Sequence, residues 1–224
     1  MAAARPHRLL ARATAFSYAC AGCGRCCHDK RITLSPYELL RLAAAKGVTT
    51  RTILEEHSTE SGTALRFDEP GGCTFLQDGR CGVHGGRPLA CRLYPLGRTL
   101  DADGIEAFIE VAPHPETEGI YGEDGTVDAW VAAQGARPFI EAAQKTYALF
   151  ERLIALVDHG SVSTALGTSD PVASDWLDVD AVVTRACAEK KQLVPSDVEE
   201  RFEIYLGALE RWIDAESARE QVRP

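Results

Sequence analysis

The chain has 224 residues, 45% of them hydrophobic and 25% charged, which describes an ordinary folded protein of one domain or two small ones. Its 24 Lys+Arg against 33 Asp+Glu give a net charge of -9, which argues against a general nucleic-acid binder. No run of about eighteen apolar residues occurs, so no membrane-spanning helix is expected. The weak apolar stretch around Arg5, Arg8 and Arg12 lacks the character of a secretory signal, so the expected location is cytoplasmic.

Charge is uneven along the chain. Residues 1–31 carry six basic side chains against Asp29 alone. Asp101 to Trp130 carries nine acidic residues and no Lys or Arg, a pattern that usually marks a solvated face.

The first motif is Cys20-Ala-Gly-Cys23-Gly-Arg-Cys26-Cys27. Gly22 and Gly24 allow the turns that let thiolates converge, and Arg25 adds positive charge that favours the thiolate. Ser35-Pro36-Tyr37-Glu38 then reads as a helix start, with Ser as N-cap, Pro at the first position and Glu at the third. Leu39, Leu40, Leu42 and Ala43 continue its apolar face and Gly47 ends it. Val48–His57 reads as a second short helix capped by Thr49 or Thr50. Both helices lie between the two cysteine sets and are expected to hold them in register. Thr63–Phe67 reads as a short strand.

The second motif runs Cys73-Thr-Phe-Leu-Gln-Asp-Gly-Arg-Cys81-Gly-Val-His84-Gly-Gly-Arg87-Pro88-Leu-Ala-Cys91-Arg92-Leu-Tyr94-Pro95. Asp78-Gly79 is a hairpin-like turn that places Cys73 near Cys81. Pro88 and Pro95 bracket Cys91 and favour a rigid turn or short helix. Gly97–Leu100 and Ile105–Val111 read as strands joined at Asp101–Gly104.

Beyond residue 126 the pattern turns helical. Phe139, Ala143, Tyr147, Phe150, Ile154 and Val157 recur at steps of three and four, giving one long amphipathic helix. Gly160–Ser169 reads as a loop ended by Asp170-Pro171. Trp176–Leu193 reads as a helix holding Cys187. Ser196-Asp-Val-Glu199 is a second capping box, opening a helix with Val198, Phe202, Tyr205, Leu209 and Trp212 on one side, a stripe of core character. The expected fold is α+β: a small cysteine-rich core with short helices and a β-hairpin over 1–126, and a helical region over 127–224 packed on it.

Seven of the eight cysteines fall between positions 20 and 91. With no export signal, such clustering points to metal rather than to a disulfide framework. Neighbouring Cys26 and Cys27 also cannot pair with each other without strain. Two chemistries suit the set. Structural zinc needs four Cys or His ligands per ion. An iron–sulfur cluster uses a C-x-x-C-x-x-C triple, here Cys20, Cys23 and Cys26, completed by a remote cysteine, and this spacing favours iron–sulfur over zinc. The two cysteine sets are expected to meet, while Cys187 is expected to be a core residue. Arg87 and Arg92 are candidates for holding an anionic substrate or cofactor. No phosphate-binding glycine loop, G-x-S-x-G elbow or H-E-x-x-H helix is present, so hydrolase readings have no support.

CAGCGRCC, ITLSPYELLRLA and CTFLQDGRCGVHGGRPLACRLYP together resemble the YkgJ family of cysteine-cluster proteins, zinc- or iron-chelating domains, over roughly residues 16–126. The resemblance implies a metal centre built from Cys20, Cys23, Cys26, Cys27, Cys73, Cys81 and Cys91. His84 stands where the family more commonly has Tyr. His114, in Val-Ala-Pro-His-Pro, stands where the family has a further cysteine, so it is the candidate eighth ligand, whereas His28 is expected to point away. Kinship to flagellin lysine N-methylases implies methyl transfer or redox modification of a protein or peptide. The alternative is a structural zinc module that docks a protein partner.

Overall fold

The computed structural model describes residues 9–59, 62–68, 71–101, 104–158 and 176–221. It is a mixed α+β structure. Its strands are β1 (Leu9–Leu10), β2 (Ala15–Ala19), β3 (Ser58–Thr59), β4 (Ala64–Leu65), β5 (Phe67–Asp68), β6 (Gly72–Cys73), β7 (Leu76–Gln77), β8 (Arg80–Cys81), β9 (Leu96–Leu100), β10 (Glu106–Glu110) and β11 (Ile120–Thr126). Its α-helices are α1 (Pro36–Lys46), α2 (Thr50–His57), α3 (Leu89–Leu93), α4 (Val127–Ala133), α5 (Arg137–Asp158), α6 (Val179–Glu189) and α7 (Val198–Gln221). Among the described residues no helix is long and apolar enough to cross a membrane.

The chain forms two compact units that interleave in sequence. The first comprises Met1–Thr33 and Arg66–Ile140; the second comprises Leu34–Leu65 and Glu141–Pro224.

In the first unit β1, β10 and β9 form an antiparallel sheet with β10 in the middle, Phe108 facing both Leu10 and Arg98. The expected turn between its last two strands is closed by the Gly104 N–H donating to the Asp101 carbonyl at 3.0 Å. A second ladder joins β2 to β11 with Tyr18 opposite Tyr121. Leu10, Phe16, Tyr18, Leu93, Leu96, Phe108, Val127 and Val131 bury together as the core. Trp130 packs against it and donates its indole N–H to the Leu93 carbonyl at 3.1 Å. Arg12 ties this unit from outside, bonding Glu106 and Asp128 at 2.6 Å each. The expected strand over 63–67 is two separate two-residue strands, because Arg66 falls between a partner in the second unit for β4 and one in the first for β5.

In the second unit Ser35 and Glu38 form the expected capping box on α1, and Gly47 closes it at a φ of 75°. Thr49 caps α2 by accepting from the Thr52 N–H. These two helices pack with the C-terminal helices: Tyr37 lies 5.0 Å from Phe202 edge-on and donates its hydroxyl to Glu199 at 2.7 Å. The N-termini of α2 and α6 brace each other. Thr50 donates its hydroxyl to Asp178 at 2.9 Å and its N–H to Asp180 at 2.8 Å, and Arg51 pairs with Asp178 at 2.9 Å. Each carboxylate thereby sits where a helix start favours negative charge. Helix α6 spans 179–189 rather than the expected 176–193, since Asp178 caps it. Cys187 is buried on α6 beside Val183. The loop expected over 160–169 with Asp170-Pro171, and the side chains of Ile154 and Val157, lie outside the described residues.

Candidate metal centre

Seven of the eight cysteines belong to the first unit, and Cys187 belongs to the second. All eight are free thiols. What brings the two cysteine motifs together is backbone pairing. His28 bridges to Gly72 antiparallel, and the Asp29 N–H donates to the Gly71 carbonyl at 3.0 Å. Continued by one residue, that register sets Cys27 across from Cys73. The Cys27 thiol accordingly senses Cys26, Cys81 and Cys73, and the Cys73 thiol senses Cys81 and Cys26. Gly24, at a φ of 70°, lies against the Asp78-Gly79 turn so closely that a Cβ there would collide with the Gly79 carbonyl oxygen. A glycine is therefore required in the middle of the first motif for the second to pack on it.

The electrostatics divide the neighbouring pair. A hydrogen bond from the Cys27 thiol, opposed by burial and aided by a backbone N–H, Lys30 and Arg87, lowers the Cys26 thiol to about 6. Cys27, the donor of that bond and itself half-buried, is pushed upward. Burial likewise raises Cys73. Cys26 is thereby a thiolate at neutral pH while Cys27 and Cys73 keep their protons, which a bound metal would displace.

An aromatic wall stands beside the first motif. Tyr18 meets Tyr94 at 6.1 Å, Tyr121 at 5.0 Å and Trp130 at 5.7 Å, all edge-on. Tyr18 senses the charges of Cys20 and Cys23, and Tyr94 those of Cys26 and Cys23. Burial raises all three tyrosine hydroxyls, so they stay protonated near the thiolates. Arg25 bonds Glu116 at 3.1 Å, anchoring the loop that carries His114 over the same region.

The sequence-expected accessory residues divide. Arg87 acts electrostatically on Cys26 and remains half-buried, donating to Gln134 at 2.8 Å and to the His84 carbonyl at 2.7 Å. Arg92 has a different job. Its guanidinium is buried, stacks over Phe139 at 4.1 Å and donates to the carbonyls of Arg87, Gln134 and Gly85. It clamps the segment around Cys91 to the α4–α5 turn and has no face left for an anionic ligand. His28 opposes Gly72, so strand alternation sends it to the face opposite Cys27 and Cys73, where its Nδ1–H donates to the Gly24 carbonyl at 3.3 Å. His84 bonds Arg87 through Nδ1 at 3.0 Å. His114 accepts the Glu116 N–H on Nδ1 at 3.1 Å.

Sequence reasoning missed Tyr18, Tyr94 and Tyr121. The signal available was the alternation of Ala15-Phe16-Ser17-Tyr18-Ala19, which places Phe16 and Tyr18 on one buried face.

Among the described residues no three His, Cys, Asp or Glu side chains converge closely enough to hold a metal ion as they stand. The donor set nevertheless fits zinc or iron in kind. It is all cysteine sulfur, a soft donor once ionised, with Cys26 ionised near neutrality, and the two motifs are joined by backbone pairing.

A cysteine-rich domain whose two motifs are joined by backbone pairing is the class this arrangement defines. Residues 19–113 match the family model CxxCxxCC, described as "Putative zinc- or iron-chelating domain". No curated protein and no solved structure matches the chain.

Proposed function

We propose that the first unit holds a thiolate-ligated metal centre, with Cys20, Cys23, Cys26, Cys27, Cys73, Cys81 and Cys91 as the donor pool. The observation that supports this reading is the backbone register that sets Cys27 across from Cys73, with Cys26 and Cys81 near enough to act electrostatically on both. The C-x-x-C-x-x-C spacing of Cys20, Cys23 and Cys26 favours an iron–sulfur cluster. Bound there, a cluster would supply one-electron chemistry, serving redox modification or methyl transfer on a protein or peptide. The chain's own residues do the rest. Cys26 is poised as the first thiolate, Lys30 and Arg87 offset the negative charge, and Tyr18, Tyr94 and Tyr121 keep water from one side. His114 joins as a ligand only if its Nδ1 gives up the Glu116 N–H.

A second reading has its own support. Cys27 senses Cys26, Cys73 and Cys81, and these four thiols are the number that closes one structural zinc site. In that case the metal staples the unit, and its partner is a docked protein.

Anaerobic purification followed by metal and acid-labile sulfide analysis with an absorption spectrum separates the two. Iron with matching sulfide and a visible band is expected. Stoichiometric zinc with neither would sink the iron–sulfur reading, and a chain free of both metals would sink the chelation reading itself.

A further inference from the structure

The second unit carries a feature unrelated to the cysteines. An open cleft of about 410 Å³ runs between α6 and α7, within the size range of small-molecule sites. Trp176 and Trp212 stand in it with ring centroids 5.5 Å apart and planes at 52°, so the indoles form a wedge rather than a closed stack. Ala186 on α6 and Ala208 on α7 leave the hollow between them.

Charge sets the cleft apart from the rest of α7. Along that helix five acidic side chains are matched: Glu199 by Arg41, Glu203 by Lys145, Glu210 and Asp214 by Arg152, Glu216 by Arg219. Arg201 is matched by Asp180. Arg185 and Arg211, both lining the cleft, have no hydrogen-bond or ion-pair partner among the described residues, in a chain whose acids exceed its bases by nine. Glu189 also lines the cleft, four residues from Arg185 on α6, yet bridges neither arginine. Two guanidinium groups with their donors unspent, beside two tryptophan faces, recognise a flat ring that bears an anionic group.

We infer that the α6–α7 cleft is a binding site for a small aromatic anion, the ring lying against Trp176 and Trp212 and its carboxylate or phosphate held by Arg185 and Arg211. Glu189 then disfavours a second negative charge on the ligand and suits a ring N–H.

Isothermal titration of the whole protein at low salt tests this, with indole-3-acetate and phenyl phosphate as the two anionic probes. Saturable binding of one or both is expected, and which one binds identifies the anion. Cyclohexylacetate and tryptamine, lacking the ring and the anion respectively, should bind at least roughly tenfold more weakly. The paired variant Arg185→Gln/Arg211→Gln removes only exposed side chains, so its far-UV circular dichroism should match the parent while affinity falls roughly tenfold or more. Trp212→Leu should weaken binding with the charges intact. The inference is overturned by no saturable heat into the millimolar range, by equal binding of cyclohexylacetate or tryptamine, or by unchanged affinity in the paired arginine variant.

Discussion

The two units use different means to hold their chain. The second is built from helices of eight to twenty-four residues, whose Tyr37, Leu40, Ile53, Val183, Tyr205, Leu209 and Ile213 are all but fully buried. Outside that core Lys145 and Arg152 on α5 reach carboxylates on α7. The first unit has a comparable core only under β1, β2 and β9–β11. Its cysteine-bearing part, from β5 to β8, consists of strands two residues long, in which Cys73 and Cys81 are half-buried and Phe75 is the fully buried apolar side chain. Hairpins that short do not stand alone in water. Small elements without their own core are commonly completed by metal, so the difference between the units is itself an argument for the metal reading.

The largest expected effect follows from that difference. Removing bound metal with a chelator, or substituting Cys26→Ser with Cys73→Ser, should release residues 66–93 while leaving α6 and α7 intact. Structural thiolate sites contribute about 10 kcal/mol of binding free energy, so protection of those amides should collapse rather than drift. Hydrogen exchange of the parent and metal-free proteins measures it. Equal protection of 66–93 in both would mean that the hairpins do not depend on metal.

The complementary experiment acts on the other unit. Leu209 is 1% exposed on α7, and Leu209→Ala should cost about 2–5 kcal/mol through lost burial and the cavity left behind. Metal-to-protein ratio and absorption spectrum should not change. A loss of metal in this variant would show that the two units are coupled, and the comparison would fail.

The sequence made the helical unit more legible than the thiol unit, and the reason is physical range. Ser35, Glu38 and Gly47 act within one turn of their own helix, and Asp78-Gly79 turns its own hairpin, so local pattern suffices for each. The β2–β11 ladder pairs Tyr18 with Tyr121, which share no local signal, and strand preference depends on such partners. The membership of α1 and α2 in the second unit is likewise set by contacts such as Tyr37 with Phe202. At the candidate site the cysteines could be named from spacing alone. The job of Arg92 could not, because its three carbonyl partners come from the folded backbone rather than from any side-chain type.

A smaller effect should appear with pH in the metal-free protein. The Cys26 thiol ionises near 6 when folded, against an ordinary value of 9.0. Between those values the unfolded state holds the extra proton, so stability rises as pH increases from about 6 to about 9. Below about 6 both states are protonated and the contribution is gone. Cys27, displaced upward, acts oppositely: above about 9 its unfolded thiol gives up the proton first, and stability falls. Denaturant midpoints across this range should therefore peak near pH 9 in the parent and lose the rising limb in Cys26→Ser. Iodoacetamide at neutral pH should label Cys26 before Cys27. An unchanged rising limb in Cys26→Ser would assign it to another group.

The smallest expected effect concerns His114. Its Nδ1 accepts the Glu116 N–H, and an imidazole nitrogen that accepts carries no proton, so the neutral ring holds its proton on Nε2. A metal needs a lone pair there. Ligation through Nε2 would move the proton to Nδ1 and break the turn bond, while ligation through Nδ1 would displace the Glu116 N–H directly. The same loop is already fixed by other bonds, from the Thr117 N–H to the His114 carbonyl at 2.9 Å and from Arg25 to Glu116 at 3.1 Å. His114→Ala should therefore keep the metal content and spectrum of the parent and lose no more than about 1 kcal/mol of stability. His114→Asn, whose side-chain oxygen can accept the N–H two residues on, should recover most of that loss. Reduced metal or a shifted spectrum in both variants would mean that metal binding remodels this turn and recruits the ring after all.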